Sequence, residues 1–278
     1  MILEMNKIKP IVAKFGGSSM ADAASVKQVI QIINQDASRR IVVVSAPGKN
    51  EKYPNKITDQ LIDGNWGNVE RRFLEEGMNL GWKNAGEIVR QAFEDFTFNY
   101  HNRDFRASRG EWLAARMLAD LIDARFLDAA EVIRINQDGT VNEISYDLIN
   151  EALGGYEGRV VIPGFYGLGE DRQVKTFPRG GSDISGAVIA RGIQAESYEN
   201  WTDVDGVMTH DPKFHKEART VERIMIDHMI EMARNGAKVL HPDCLTPVMN
   251  SGIPVVVRNT FNLSSAGTLV ITDQEVQN

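Results

Sequence analysis

The sequence lacks features that secreted, membrane and nucleic-acid-binding proteins use. Cys244 is its only cysteine, so neither an intrachain disulfide nor a cysteine-based zinc site can form. The 31 basic residues are outnumbered by 38 acidic ones, and the net charge of −7 argues against a nucleic-acid or anionic-membrane surface. No run of 18 apolar residues occurs, and the first ten residues lack the apolar core of a signal peptide. We therefore expect a cytoplasmic protein.

The chain instead alternates short apolar runs with amphipathic stretches. This alternation predicts an α/β fold with a mostly parallel sheet between helices, in two lobes that share the sheet. The predicted strands lie at 11–15, 41–46, 159–167, 197–201, 254–260 and 268–271. The predicted helices lie at 22–34, 108–124, 184–191 and 226–235, with 57–105 mostly helical and interrupted at Gly64, Gly77 and Gly81. Residues 47–56 and 167–175 are predicted to be polar loops.

The segment KFGGSS, from Lys14 to Ser19, is the strongest local motif. Its glycines would let the backbone approach an anion, and the helix that follows would offer unpaired N–H groups. The loops SAPGK (45–49) and RGGSD (179–183) are of the same kind. Three such loops at strand ends predict a ligand site at the carboxyl edge of the sheet, although each could also be a plain glycine turn.

Other segments allow two interpretations each. SRGE (108–111) has the spacing of a helix capping box, but Glu111 could also bind a substrate ammonium. The aspartates of 201–212 could form turns or a Ca²⁺ loop, although the spacing of an EF-hand is missing, and Lys238 could stabilise a helix end. The segment HNRDF (101–105) lacks the order of a protein-kinase catalytic loop and is predicted to be a polar loop. Neither a P-loop nor a Rossmann glycine motif is present.

Taken in order, these segments resemble the catalytic domain of aspartate kinases, within the amino-acid kinase superfamily. The motifs that carry the resemblance are KFGGSS, VVVSAPGKNEKYPNKITDQLI, SRGE, FPRGGSDISG, WTDVDGVMTHDP, GAKVLHP and VRNTF. The resemblance implies transfer of a phosphoryl group from ATP, with Mg²⁺, to the β-carboxylate of L-aspartate, the first step toward lysine, threonine and methionine. It also implies a three-layer αβα sandwich, with an amino-acid lobe at about 1–170 and a nucleotide lobe at about 171–278.

The same resemblance assigns roles to individual residues. Lys14, Lys238 and Asp183 would be catalytic. Aspartate would be held by Ser45, Thr58, Glu111, Arg179 and Ser182. ATP would be held by Gly16, Gly17, Ser18, Thr202, Asp203, Met208 and Lys213. We expect no resident metal site, because Mg²⁺ would be carried by the nucleotide phosphates and water.

Several positions depart from the family pattern. Met208 replaces a tyrosine near the adenine, Lys213 replaces an arginine, and Phe177 and Pro178 replace the usual Leu-Gly. The family usually continues into paired ACT domains that bind effector amino acids, and we expect none within residues 1–278. A homodimer and a separate regulatory chain are the expected protein partners. The alternatives are another amino-acid kinase, acting on acetylglutamate or UMP, and a non-catalytic paralogue.

Overall fold

The computed structural model describes residues 9–178, 180–209, 218–234, 244–249 and 251–271. The strands are β1 (Ile11–Phe15), β2 (Ile41–Val44), β3 (Arg125–Phe126), β4 (Arg134–Ile135), β5 (Val160–Pro163), β6 (Tyr166–Gly169), β7 (Val174–Thr176), β8 (Ser197–Thr202), β9 (Arg223–Met225), β10 (Val255–Asn259) and β11 (Thr268–Ile271). The α-helices are α1 (Ala23–Gln35), α2 (Ile57–Ile62), α3 (Trp66–Leu80), α4 (Ala85–Phe98), α5 (Arg103–Leu121), α6 (Ala129–Val132), α7 (Ile144–Leu153), α8 (Gly181–Gly192) and α9 (Ile226–Arg234).

The main sheet has the strand order β3-β5-β2-β1-β8-β10-β11-β9. The strands from β3 to β10 in this order run parallel, whereas β11 is antiparallel to β10 and parallel to β9. The carboxyl ends of β1, β2, β5, β8 and β10 therefore meet at one edge of the sheet. This arrangement confirms the predicted, mostly parallel sheet, which begins with residues 11–15 and extends to residues 268–271.

Helices cover both faces of this sheet, which confirms the three-layer sandwich. In β1, Val12 packs into the apolar core beneath α7, α8 and α9. Ala13 and Phe15 pack into a second core with α1, α3, α4 and α5. Because successive side chains of a strand point to opposite faces, β1 and β2, which are apolar except at Lys14, supply both cores. None of the helices in the described ranges is long and apolar enough to cross a bilayer.

A buried ion pair lies within the core that contains Phe15. The Arg39 guanidinium contacts both carboxylate oxygens of Glu199, with Nε–Oε2 at 2.7 Å and Nη2–Oε1 at 3.1 Å. The indole N–H of Trp201 donates to the same carboxylate at 2.9 Å, and Arg39 Nη1 donates to the Ile32 carbonyl. These bonds satisfy two charges that would otherwise be costly to remove from water.

Two predictions about local structure are wrong. Residues 167–175 form most of an antiparallel hairpin of β6 and β7, which joins β4 in a second sheet, instead of a polar loop. Gly77 does not interrupt a helix but lies inside α3. Its lack of a side chain allows close packing, because a Cβ atom there would come within 3.1 Å of Trp82 and Ala85. Gly64 and Gly81 do separate helices, as predicted.

Candidate active site

The loops that follow the central strands are hydrogen-bonded to one another at the carboxyl edge. Gly16 N–H donates to the Trp201 carbonyl at 3.0 Å, which joins the loop after β1 to the end of β8. Ser45 N–H donates to the Phe15 carbonyl at 3.1 Å, and Gly48 N–H donates to the Gly17 carbonyl at 2.7 Å. The structure thus brings the glycine motifs after β1 and β2 together, as the sequence predicts.

Glycine is required where the loops after β1 and β2 cross. A Cβ atom on Gly48 would lie 2.7 Å from the backbone carbon and oxygen of Gly17, and a Cβ atom on Gly17 would lie 3.2 Å from the Ala46 carbonyl oxygen. Distances below about 3 Å to a backbone atom force the backbone to move. The crossing therefore depends above all on the absence of a side chain at Gly48. Gly16 is buried at the crossing, whereas Gly17 and Ser18 are only half-buried.

Lys14 and Asp183 form an ion pair at the centre of this edge. Lys14 comes from the end of β1 and is buried, whereas Asp183 lies in the first turn of α8. The Asp183 carboxylate also accepts a hydrogen bond from Asn200 Nδ2 at 2.8 Å. Two of the catalytic residues implied by the resemblance are thus in direct contact.

The amino end of α8 opens onto the same edge. Gly180 precedes it in a left-handed conformation (φ 64°), and no side chain of the described residues caps the helix. Ser182 lies beside the end of β5, close enough that a Cβ atom on Gly164 would be 2.7 Å from the Ser182 Cβ. An uncapped helix amino end offers N–H groups and a partial positive charge to an anionic ligand.

The prediction that the helix after KFGGSS offers unpaired N–H groups to a ligand is wrong. A 3-10 turn (Ser18–Met20) intervenes, and Asp22 caps α1 by accepting from the Ser25 N–H at 2.8 Å. Ala23 N–H donates to Glu76 Oε2 at 2.8 Å. The first N–H groups of α1 are therefore already used by carboxylates, and the open helix end at this site belongs to α8.

The capping-box interpretation of SRGE is also wrong. Helix α5 begins at Arg103, where Asn102 caps it by accepting from the Phe105 N–H, so HNRDF is a helix start and not a loop. Ser108 lies inside the helix, and its hydroxyl donates to the Phe105 carbonyl at 2.7 Å. Glu111 is consequently not at a helix end, and its carboxyl group is free for another role.

Glu111 is buried, with 5% of its surface exposed. Loss of hydration raises the pKa of its carboxyl group to about 8, although backbone N–H groups of Ala46 and of Glu111 itself and the charge of Arg109 oppose the increase. Its Oε2 atom has no hydrogen-bond partner among the residues that the structure describes. A buried acid with an unused oxygen is suited to bind a cationic group.

Close packing places Glu111 beside the loop after β2. A Cβ atom on Gly110 would lie 2.8 Å from both Ala46 and Ile57, so the absence of a side chain lets α5 approach this loop and α2. Ser45, at the end of β2, and Thr58, in the first turn of α2, are both half-buried. Three of the residues implied to hold aspartate therefore come from adjoining segments.

The end of β8 carries the residues assigned to the nucleotide. Thr202 is half-buried and Asp203 is exposed, with a 3.3 Å hydrogen bond from the Thr202 hydroxyl to the Asp203 carboxylate. Asp205 has a structural role, since Asn259 and Asn262 donate to it at 2.7 and 2.9 Å. Met208 is half-buried beside Thr220. Arg179, Lys213 and Lys238 lie outside the described residues.

Arg72 is a residue of the site that the sequence analysis missed. It lies on α3 with only 1% of its surface exposed. Its Nη2 atom donates to the Ala21 carbonyl at 2.8 Å and to the Gly48 carbonyl at 2.6 Å, and its guanidinium stacks 4.7 Å above the Tyr53 ring. Burial lowers the pKa of Arg72, but an arginine stays charged at neutral pH. The only sequence signal is a cation next to Phe73, on the apolar face of α3.

Comparison with known proteins agrees with this architecture. Residues 9–259 match the model of the amino acid kinase family. Aspartokinase 3 of Bacillus subtilis is 31% identical over 294 residues, covering 96% of this chain and 64% of that enzyme. The solved aspartate kinase of Clostridium acetobutylicum superposes with a TM-score of 0.88 at 37% identity, covering 95% of this chain and 63% of that one.

A second solved structure, Escherichia coli aspartokinase III in complex with aspartate and ADP, gives a TM-score of 0.85 at 27% identity and covers 95% of this chain and 65% of that one. The chain thus spans a little under two thirds of the length of these relatives. The matched range contains every described element from β1 to β10, including the Lys14–Asp183 pair and Glu111. The chain belongs to the amino acid kinase family.

Proposed function

We propose that this chain transfers the γ-phosphoryl group of MgATP to the β-carboxylate of L-aspartate. The observation that carries the proposal is the placement of Glu111, a buried acid with a free oxygen, beside an edge that carries Lys14 and an open helix end. This combination offers one group for an ammonium and several for phosphate. The likeness to aspartokinases over 95% or more of the chain supports the same substrate.

Aspartate would bind through its two kinds of charge. Its ammonium would donate to Glu111 Oε2, which has no other partner among the described residues. Its carboxylates would accept hydrogen bonds from the hydroxyls of Ser45, Thr58 and Ser182. Arg179, at the start of the RGGSD motif, would bind a carboxylate through its planar guanidinium. We place aspartate against the lobe formed by about 1–170 and the nucleotide against the lobe formed by about 171–278.

Phosphoryl transfer would then depend on position and charge. The attacking β-carboxylate is an anion near neutral pH, so no general base is required. Among the described residues Lys14 pairs with Asp183, and its remaining N–H groups would bind oxygens of the transferring group. The Gly16 N–H is used by the Trp201 carbonyl, so the further donors would be the backbone N–H groups of Gly17 and Ser18 and the amino end of α8. Such fixed charges and donors account for most of the catalysis in phosphoryl transfer.

The nucleotide would lie along the end of β8, near Thr202, Asp203, Met208 and Lys213. Lys238 would act with Lys14 on the transferring phosphoryl group. No three metal-ligating side chains come together in the described part of the chain. We propose that the Mg²⁺ ion arrives with ATP, held by phosphate oxygens and water, and neutralises charge on the nucleotide.

The test is an assay that traps the acyl phosphate. The purified chain is incubated with MgATP, hydroxylamine and one acceptor at millimolar concentration: aspartate, glutamate, acetylglutamate or UMP. We expect aspartate β-hydroxamate and matching ADP release with aspartate, and little ADP with the other acceptors. A Lys14→Ala variant with an unchanged melting temperature serves as the matched control. Folded wild-type protein that forms no hydroxamate from aspartate would contradict the proposal.

A further inference from the structure

We infer that Asn200 is a positioning residue that fixes the Asp183 carboxylate, and through it Lys14, for phosphoryl transfer. The inference rests on the proposed function and concerns a residue outside the motifs that suggested it. Asn200 lies in the middle of β8 and is 1% exposed. A buried amide is costly in a strand core unless its hydrogen bonds are made, so its partners indicate its role.

The sheet register places Asn200 next to Lys14. Strands β1 and β8 are parallel neighbours, and Lys14 is the residue aligned with Asn200. Tyr198, two positions earlier on the same face of β8, packs with Val12 in the core beneath α8. Asn200 and Lys14 therefore both face α8, from which Asp183 approaches.

The two side chains share one oxygen of Asp183. Asn200 Nδ2 donates to Asp183 Oδ1 at 2.8 Å, and Lys14 Nζ pairs with the same atom. The other oxygen, Oδ2, has the Cys244 thiol 4.0 Å away. Asn200 supplies a directional bond to the carboxylate, whereas an ammonium can rotate about its stem. The amide therefore restrains the position of Asp183 Oδ1 and, through it, the place of the Lys14 charge.

Tyr198 contacts the backbone of Asp183. Its hydroxyl donates to the Asp183 carbonyl at 3.0 Å and lies 3.2 Å from Asn200 Nδ2. Gly186 allows this approach, because a Cβ atom there would be 2.6 Å from the Tyr198 ring. The first turn of α8 is thus tied to β8 through both the main chain and the side chain of Asp183.

The test is a double-mutant cycle of Asn200→Leu and Asp183→Ala. Leucine has the same number and branching of side-chain heavy atoms as asparagine and removes its donor. We expect Asn200→Leu to lower kcat by about tenfold or more, the effect of losing a hydrogen bond to a charged group, with the KM for ATP within about twofold of wild type. In the Asp183→Ala background, the same change should lower kcat by less than about twofold, because the carboxylate it acts through is absent.

A substitution that only destabilises the fold should give a different result from Asn200→Leu. Ser145→Ala removes a buried hydroxyl whose hydrogen bonds, among the described residues, go to the main chain of Arg134, and it should lower the melting temperature without changing kcat. If Asn200→Leu behaves like this control, or if its effect is equal in both backgrounds of the cycle, the inference is wrong. An inactive wild-type chain would instead contradict the proposed function. Crystal structures of wild type and Asn200→Leu then decide: an unmoved Asp183 carboxylate overturns the inference, and a displaced one supports it.

Discussion

Replacing Glu111 with glutamine should make the protein more stable, by an amount that grows with pH. The folded-state pKa of about 8 lies above the ordinary value of 4.5 because burial removes the hydration of the carboxylate. Between these two pH values the folded protein keeps the Glu111 proton and the unfolded chain releases it. Stability from this group is therefore complete below about pH 4.5 and is lost as pH rises toward 8.

The pKa difference sets the magnitude. Each pH unit in this window lowers the free energy of unfolding by about 1.4 kcal/mol, which gives about 3 kcal/mol at pH 7 and about 5 kcal/mol once the change is complete. Glutamine is neutral at every pH and can still accept from the Ala46 N–H. Glu111→Gln should thus lie within about 1 kcal/mol of wild type near pH 5 and exceed its stability by about 4 kcal/mol at pH 8.

Urea unfolding of both proteins at pH 5, 6, 7 and 8 measures this difference. Binding provides a second readout, because the ammonium of aspartate favours the ionised form of Glu111. Aspartate binding to wild type near pH 7 should release about one proton, seen as a calorimetric enthalpy that depends on the buffer, and its KM should fall as pH rises toward 8. A stability difference that stays constant with pH would refute the reasoning, as would a glutamine variant that is less stable at pH 8.

Three further substitutions test other parts of the structure. Lys14→Ala should lower kcat by about a hundredfold or more, as loss of a charge contact to the transition state does, and steady-state kinetics showing a change below about threefold would reduce Lys14 to a structural role. Gly48→Ala should lower the melting temperature and raise the KM values together, because its Cβ meets the Gly17 backbone at 2.7 Å; unchanged kinetics would mean that the crossing is not rigid. Arg39→Met should lower the free energy of urea unfolding by about 1.5 to 3 kcal/mol, because the buried Glu199 carboxylate loses two hydrogen bonds but keeps the Trp201 N–H and Arg258, whose Nε lies 3.5 Å away; Arg39→Met/Glu199→Gln should recover much of the loss.

The parts of the fold that sequence predicts are those with a continuous physical signal. The runs IVAKF and IVVV are apolar on both faces, which specifies a strand covered on both sides. The hairpin at 167–175 has no such signal, because its glycines and charges are typical of loops and its strands are stabilised by pairing with distant residues. SRGE misleads because the same i, i+3 spacing occurs at a helix start and inside a helix.

The candidate site divides in the same way. Lys14 and the glycines after it are visible because the motif is local. Asn200 and Arg72 were missed because their partners are distant in sequence: Asp183 lies 17 residues from Asn200, and the Ala21 carbonyl lies 51 residues from Arg72. A polar side chain in a predicted core position is the one feature that marks such residues in advance.

The two hydrogen bonds of Arg72 have a consequence for the thermodynamics of ligand binding. They join the loops after β1 and β2 within the protein itself, so the order of these loops does not depend on a bound phosphate. Ligand binding then incurs a smaller loss of conformational entropy than it would if the loops were free. The entropy cost of ordering the loops is met during folding and does not reduce the affinity for the ligand. Arg72 thus raises ligand affinity from its buried position beneath the loops, because it lowers the conformational entropy of the unliganded protein.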